Sequence, residues 1–425
     1  MHLQVGKFVG WVLLLTLVSS MSFADVVERR KDQFGRDFAY YIFPVAGEIP
    51  GMGKATGVGA TVSNMAGGDT DFTGYYVRGD INATGLALLD YHVLPQRLIL
   101  DVGYNDYKFK TTSYSVGADS NPSNAIYPKV EGNYLLGQLT LTFDERRYEM
   151  FARMLNGRNR VIEVLDKNNQ AFVGMDTSWK SGIYYSLGGS LDLTDDRLDP
   201  RKGARFEFSS RLPHHGNPDE SEYYVNDYNL TGYAPMRKWD TLVFNLFYSR
   251  AHVTHQGLTD FATLQQRYGL NCNQYPAGPG RDNCLSTEAS LLAAKLENNQ
   301  YGTATALGGT QRLRSYDNGR FYAGQTLFYG VEYRWNLTDE RIPFDIYLAK
   351  GVRTGIQLAA FWERGMVANE YNQLFKNAHE SYGLGLRVIL SGVIIRLDLA
   401  KGQEGTQSQL FITYPWSMFS VDNPG

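Results

Sequence analysis

The chain has 425 residues, a formal net charge of −3, and 44 Gly, 29 Tyr and 22 Phe. That near-neutral balance gives no electrostatic case for a nucleic-acid partner. Beyond the N-terminus no apolar run reaches the ~18 residues of a membrane helix, so any membrane crossing must use strands.

The N-terminal stretch MHLQVGKFVGWVLLLTLVSSMSFAD sets Lys7 before an apolar run from Phe8 to Val18 and ends on Ser22-Phe23-Ala24. A charged start, a short apolar core and small residues at a cleavage point read as a secretory signal peptide over 1–24. The run is well short of the ~20 residues a membrane anchor needs. Residues 25–425 then read as one β-domain, with 25–40 a short periplasmic tail.

Period-two alternation dominates the rest of the chain. Candidate strands fall near 54–65, 70–80, 83–94, 97–110, 132–143, 146–156, 161–175, 181–193, 203–212, 222–235, 240–254, 323–337, 355–364, 381–391, 393–401 and 407–418. In QTLFYGVEYRW, Leu327, Tyr329, Val331, Tyr333 and Trp335 share one face, opposite Gly330, Glu332 and Arg334. In VIIRLDLA, Val393, Ile395, Leu397 and Leu399 oppose Arg396 and Asp398. A soluble sandwich would show the same alternation, but rarely with strands of ten or more residues throughout. Strands of ~9–11 residues suit a tilted membrane crossing, and the apolar face ends in Tyr and Trp as interfacial girdles do. The expected fold is all-β: a transmembrane barrel of about sixteen antiparallel strands. Its short turns face the periplasm and its long loops the outside. Arg334, Arg387 and Arg396 are expected to be inward lumen charges.

The longest connection, 255–322, holds three features. Cys272 and Cys284 flank NQYPAGPGRDN, and an even count in an exported chain points to a disulfide. STEASLLAAKLEN reads as a short helix capped by Ser286 or Thr287. GGTQRLRSYDNGRF then carries Arg312, Arg314 and Arg320 with little apolar content. On its own residues this segment fits an exposed, solvated loop. His214, His215, His252 and His255 lie near strand ends, but no spacing matches a metal or catalytic signature. No metal, cofactor, catalytic residue or small-molecule substrate is expected.

LGGTQRLRSYDNGRFYAGQTLFYGVEYRW resembles the hallmark loop and following strand of the BamA/TamA superfamily of outer-membrane insertases and two-partner secretion pores. The family pattern there is an apolar residue, then Arg-Gly-aromatic. Here it is Leu313-Arg314-Ser315-Tyr316, with Ser for Gly. LDLTDDRLDPRKGARFEF, AAFWERG, SYGLGLR, VIIRLDLAKGQEG and QLFITYPWSMF are similar, in order, to later family segments. The resemblance implies that the loop folds into the lumen and that Arg314 meets an inward carboxylate; by parity Glu363, Asp398 and Glu332 are the candidates. It is a short form of the family: between Ala24 and the first strand there is no room for the periplasmic repeats such barrels usually carry.

The resemblance further implies a barrel in the outer membrane of a Gram-negative bacterium. It would assist protein insertion, assembly or translocation without covalent chemistry, and its partners would be lipids and client proteins. The alternatives are a passive or gated pore, or a surface adhesin or receptor. An insertase needs a weak seam between first and last strands. Gly57 and Gly59, in the strand read as first, weaken pairing, and Pro415, in the strand read as last, suits an edge.

Overall fold

The computed structural model describes residues 38–416, except 115–116, 119–120, 123–124, 173–175, 198, 214–215, 238–239, 340–343, 347–348, 353, 391–392 and 413. The expected signal peptide, most of the tail, and His214 and His215 lie outside the described residues.

One antiparallel sheet curls into a barrel. Its first staves are β1 (Ala39–Ile49), β2 (Gly53–Met65), β3 (Thr70–Gly79), β4 (Ile81–Leu94) and β5 (Leu98–Lys110). After the two-residue β6 (Ser113–Tyr114) come β7 (Ala125–Phe143), β8 (Tyr148–Leu165), β9 (Lys180–Asp192), β10 (Gly203–Arg211), β11 (Glu222–Pro235) and β12 (Thr241–His255). β13 (Gln325–Asp339) leads through a small hairpin, β14 (Phe344–Ile346) and β15 (Ala349–Val352), to β16 (Thr354–Ala368). β17 (His379–Leu390), β18 (Val393–Gly402) and β19 (Gly405–Ile412) complete it. β5 pairs directly with β7, and β13 directly with β16, so β6, β14 and β15 are not staves and sixteen staves remain.

Two strand assignments are corrected. The first stave is Ala39–Ile49, ahead of the first strand expected from alternation. Among the described residues no separate strand fills the expected 161–175; its first part is the upper end of β8, which runs unbroken to Leu165. The two differences cancel in the count. Gly57 and Gly59 therefore stand in the second stave, paired with Val45 and Phe43, and are not at the seam. Pro415 lies beyond the end of β19, in a turn.

The faces follow from parity. Outward on β5, Leu98, Leu100, Val102 and Tyr104 stand opposite Leu141, Leu139, Gly137 and Leu135 of β7. Across the next pair, Leu139 and Leu141 meet Ala152 and Met150 of β8. Leu135, Leu139, Leu141, Phe143, Tyr148 and Met150 are all exposed. The band continues on the far wall through exposed Leu246, Trp335, Leu358, Trp362, Leu384, Leu397 and Leu399. Ladder pairing on both sides satisfies the backbone of these staves, so their apolar girdle meets acyl chains without unpaired amides. The inward face carries the charges.

At the long-loop end, α1 (Phe261–Tyr268) and α2 (Pro279–Tyr301) form a cap. Cys272 and Cys284 are joined, linking a short 3-10 turn to α2. α2 starts earlier than the expected helix: Pro279 occupies its first turn and Gly278 its N-cap, in place of Ser286 or Thr287. Pro at that position loses no intrahelical bond, since its N–H would have had no partner there. Buried Asn299 fastens the cap: its Nδ2 donates to the carbonyls of Asp219 and Leu258, at 2.9 and 2.7 Å, and its Oδ1 accepts from the Ser221 amide.

Candidate functional site

The segment 308–321 folds into the barrel. Leu313, Tyr316 and Phe321 are buried against Val243, Phe247, Phe328 and Val367 of the wall, with Trp416 in the same cluster. Apolar burial on one side leaves the arginines to be met by polar wall residues on the other.

The wall is prepared for them by register. Gly330 of β13 faces Glu363 of β16, which faces Ser381 of β17. The next inward row runs Glu332, Phe361, Gly383, Ala400, and the next Arg334, Ala359, Gly385, Asp398. Three carboxylates thus sit on three successive rows. Gly385 keeps the space between them open: a Cβ there would lie 2.0 Å from Arg387 Nη1 and 2.1 Å from Asp398 Oδ1.

Arg314 enters this space fully buried. Its Nε donates to Glu363 Oε1 at 2.8 Å, and its Nη1 to Asp398 Oδ2 at 2.8 Å and Glu332 Oε2 at 3.0 Å. Its backbone amide donates to Glu363 Oε2, and its carbonyl accepts from Gln409 Nε2 of β19 at 2.8 Å. The guanidinium lies 3.4 Å from the Phe361 ring centroid. Burial pulls the Arg314 pKa down, but Glu363, Asp398 and Glu332 outweigh it and raise it above the usual arginine value.

Arg387, Arg396 and Arg334 are not free lumen charges. Arg387 bridges Asp398 and Glu332 at 2.9 Å each; Arg396 reaches Asp398 at 3.1 Å and the Thr310 carbonyl; Arg334 reaches Glu332 at 2.8 Å. Four guanidiniums share three carboxylates, so the pairing is spread across the network rather than confined to any pair, with one positive charge in excess. Arg312, by contrast, lies over the Phe247 ring at 3.7 Å, and burial lowers its pKa to about 10.

The Ser315 departure from the family pattern is accommodated. The residue with positive φ is Leu313, at 54°, not Ser315. The Ser315 amide donates to Ser381 Oγ at 3.1 Å, and its side chain packs on Gly402, where a Cβ would come within 2.2 Å of Ser315 Oγ.

Two features had no plain sequence signal. First, among the described residues the wall ends at Ile412. Tyr414 and Trp416 turn inward: Trp416 Nε1 donates to Glu363 Oε1 at 3.0 Å and its carbonyl accepts from Asn229, while Tyr414 donates to Asp199 at 2.7 Å. Second, the loop tip holds both seam strands at their long-loop ends. Asn318 N donates to the Pro50 carbonyl just after β1, and Arg320 pairs with Glu404 in the β18–β19 turn.

The seam is where the ladder lapses. β1 and β19 touch: Ser408 Oγ donates to Glu48 Oε2 at 2.9 Å, and Gly47 lies close to the Leu410 carbonyl. Yet among the described residues no ladder pair joins them, whereas all other neighbouring staves are paired. Toward its start, β1 pairs instead with β15, Tyr40 opposite Lys350 and Tyr41 opposite Ala349.

Of the four histidines near strand ends, His252 and His255 are described. His252 stacks outward on Tyr224, centroids 4.7 Å apart, and His255 is exposed. Among the described residues no group of His, Cys, Asp and Glu could hold a metal.

No family model matches the chain, and no curated protein matches it. Among solved structures it is similar to CdiB from Escherichia coli, with a TM-score of 0.50 and 10% identity, over 89% of this chain and 63% of that one. CdiB from Acinetobacter baumannii aligns at 0.48 and 11% identity, over 89% of this chain and 60% of that one. BamA from Haemophilus ducreyi lacking POTRA domains 1-3 aligns at 0.47 and 13%, over 88% and 69%. The chain thus spans less than two thirds of either CdiB. At such identity the likeness to the Escherichia coli protein shows a shared fold: a sixteen-stranded barrel of the outer-membrane type.

Proposed function

We propose that this barrel assists the insertion or translocation of proteins at the outer membrane, and that it works at the seam between β1 and β19. One observation carries the reading: among the described residues, every neighbouring pair of staves shares a ladder except these two. An unpaired strand edge is a template for another strand. At the seam it faces lipid, where unpaired amides are costly, so a client strand that satisfies them would gain from docking. The fold shared with CdiB from Escherichia coli supports the outer-membrane placement on which this reading rests.

The lumen loop would act as a brace. It ties Pro50 and Glu404, on the two sides of the seam, to the buried Arg314 network. Loosening the loop would release both seam strands together. No covalent step is involved; the free energy would come from pairing the client edge and burying its apolar face in lipid.

The test is a reversible lock. Glu48→Cys with Ser408→Cys places thiols where two side chains already touch. Oxidation should abolish client insertion into proteoliposomes, and reductant should restore it. Full activity in the oxidised, crosslinked barrel would sink the seam reading. A steady ion current in planar bilayers, unchanged by the lock, would favour the pore.

A further inference from the structure

Above the apolar band on one wall, the outward rows change character within one step. On β5, Leu98 to Tyr104 give way to Asp106, Lys108 and Lys110. Their cross-strand partners on β7 are Asn133, Glu131 and Lys129, and beyond these on β8 stand Arg158, Arg160 and Glu163. At two residues per row these positions begin one pleat beyond Tyr104 and lie toward the long-loop end, level with lipid headgroups.

Most of this belt balances itself. Arg160 donates to Glu131 at 2.7 Å, Lys108 stands 3.5 Å from the same carboxylate, and Lys129 stands 3.1 Å from Glu163. Arg158 and Arg160 share the ring of Trp179, at 5.0 and 4.9 Å. One contact is unfavourable as it stands: Lys110 and Lys129 face each other directly across the ladder. Like charges in that arrangement repel. Among the described residues no carboxylate lies within ion-pair distance of Lys110, which instead lies 5.5 Å from the Tyr127 ring. Five cations against three carboxylates leave the belt with two positive charges in excess. Lys108, Lys110 and Lys129 also line a cleft of about 590 Å³ under the tips of the β1–β2 and β3–β4 turns, where Glu48 and Asp80 line its turn side and leave the three lysines one charge in excess.

We propose that this cleft and belt bind the phosphorylated headgroup of a lipid in the leaflet on the long-loop side, with a phosphate between Lys110 and Lys129. An anion there turns the repulsive pair into a two-cation clamp. Lys108 and the paired guanidiniums flank the saccharide or glycerol, and the lipid's chains lie against Tyr104, Leu135 and Leu139 below. The inference rests on the transmembrane placement of the barrel, not on the seam reading. A basic residue near an anionic lipid surface contributes roughly fivefold to binding, and the attraction weakens with salt.

The experiment uses the full chain in phosphatidylcholine nanodiscs carrying lipid A, a bisphosphorylated glycolipid, with retained lipid counted by native mass spectrometry. The wild type should retain lipid A and not its dephosphorylated form. Lys110→Ala with Lys129→Ala should lower retention by about tenfold or more, while Lys401→Ala, exposed on another wall, should leave it unchanged. Heat-modifiable gel migration verifies that each variant is folded. Lys110→Arg with Lys129→Arg keeps the charge and should keep the lipid. Equal retention of dephosphorylated lipid, or an alanine pair that binds as the wild type does, overturns the proposal. Complete displacement by millimolar inorganic phosphate overturns it too, since the site would then take free phosphate.

Discussion

Arg314 holds Glu363 by two separate groups, its backbone amide to Oε2 at 2.9 Å and its Nε to Oε1 at 2.8 Å. The first bond fixes where the chain passes and the second where the side chain points. The loop is therefore registered on β16 by one carboxylate.

Removing one member of a buried network leaves the others desolvated and unpaired, which costs about 3–5 kcal/mol. Arg314→Ala strips Glu363 of its guanidinium and leaves it the backbone amide of residue 314 and the Trp416 indole, neither of which carries a charge. Glu363→Gln keeps the shape and removes one charge. Urea midpoints in detergent should fall furthest for Arg314→Ala. A double-mutant cycle with Glu363→Gln should show coupling well above that of an exposed pair, at ~1 kcal/mol or less. Additive midpoints would mean that the loop does not depend on this contact.

The contact between Ser315 and Gly402 predicts a suppressor. Gly402→Ala puts a Cβ 2.2 Å from Ser315 Oγ and 2.9 Å from the Glu380 carbonyl. The loop must lift, and protease cleavage within 308–321 should appear. Adding Ser315→Gly removes the first clash and leaves the second, so protection should return in part. Gly385→Ala presses on Arg387 and Asp398 instead, and Ser315→Gly should not rescue it.

How far the sequence carries depends on where strands leave the membrane. Parity alone places Glu332, Glu363 and Asp398 on inward faces, because a stave with one face in lipid cannot slip by one residue. Parity does not show that Arg387 and Arg396 close on the same carboxylates, since that depends on the curvature bringing β13, β16, β17 and β18 together. The misreading of β8 has a physical source: Asn156-Gly157-Arg158-Asn159-Arg160 reads as a turn. It is the part of a strand that rises above the apolar girdle to the headgroup level, where polar residues are at home. β1 is hidden for a related reason. Pro44 sits in its middle, and Pro argues against a strand unless the strand is an edge, which β1 is on its seam side. The inward turn of Tyr414 and Trp416 has no periodic signature at all.

The cap predicts a local effect of its disulfide. Cys272 and Cys284 close a short loop, with a sequence separation of 12, wholly within the cap. A crosslink of this size constrains the unfolded loop by about 3 kcal/mol. Cys272→Ser with Cys284→Ser should expose 269–280 to protease while the barrel midpoint stays put. A large fall in the barrel midpoint would show that the cap is part of the wall's own cooperative unit.

The last prediction concerns the start of β1. Gly47 and Glu48 lie beside Leu410 and Ser408, so β19 ends near Val45 and the Tyr414–Trp416 turn carries the chain away from the rest of the edge. β15 takes part of the vacated place through Tyr40 and Tyr41. Replacing 344–352 with a tight turn should leave those two residues without a strand on that side. Amide hydrogen exchange should then quicken at 39–43 and stay slow at 45–49. A strand-forming peptide bearing a photocrosslinker should label β1 only in the shortened barrel, or far more strongly there. If exchange at 39–43 is unchanged, β15 does not guard this edge, and a client strand would meet no competitor at the short-turn end of the seam.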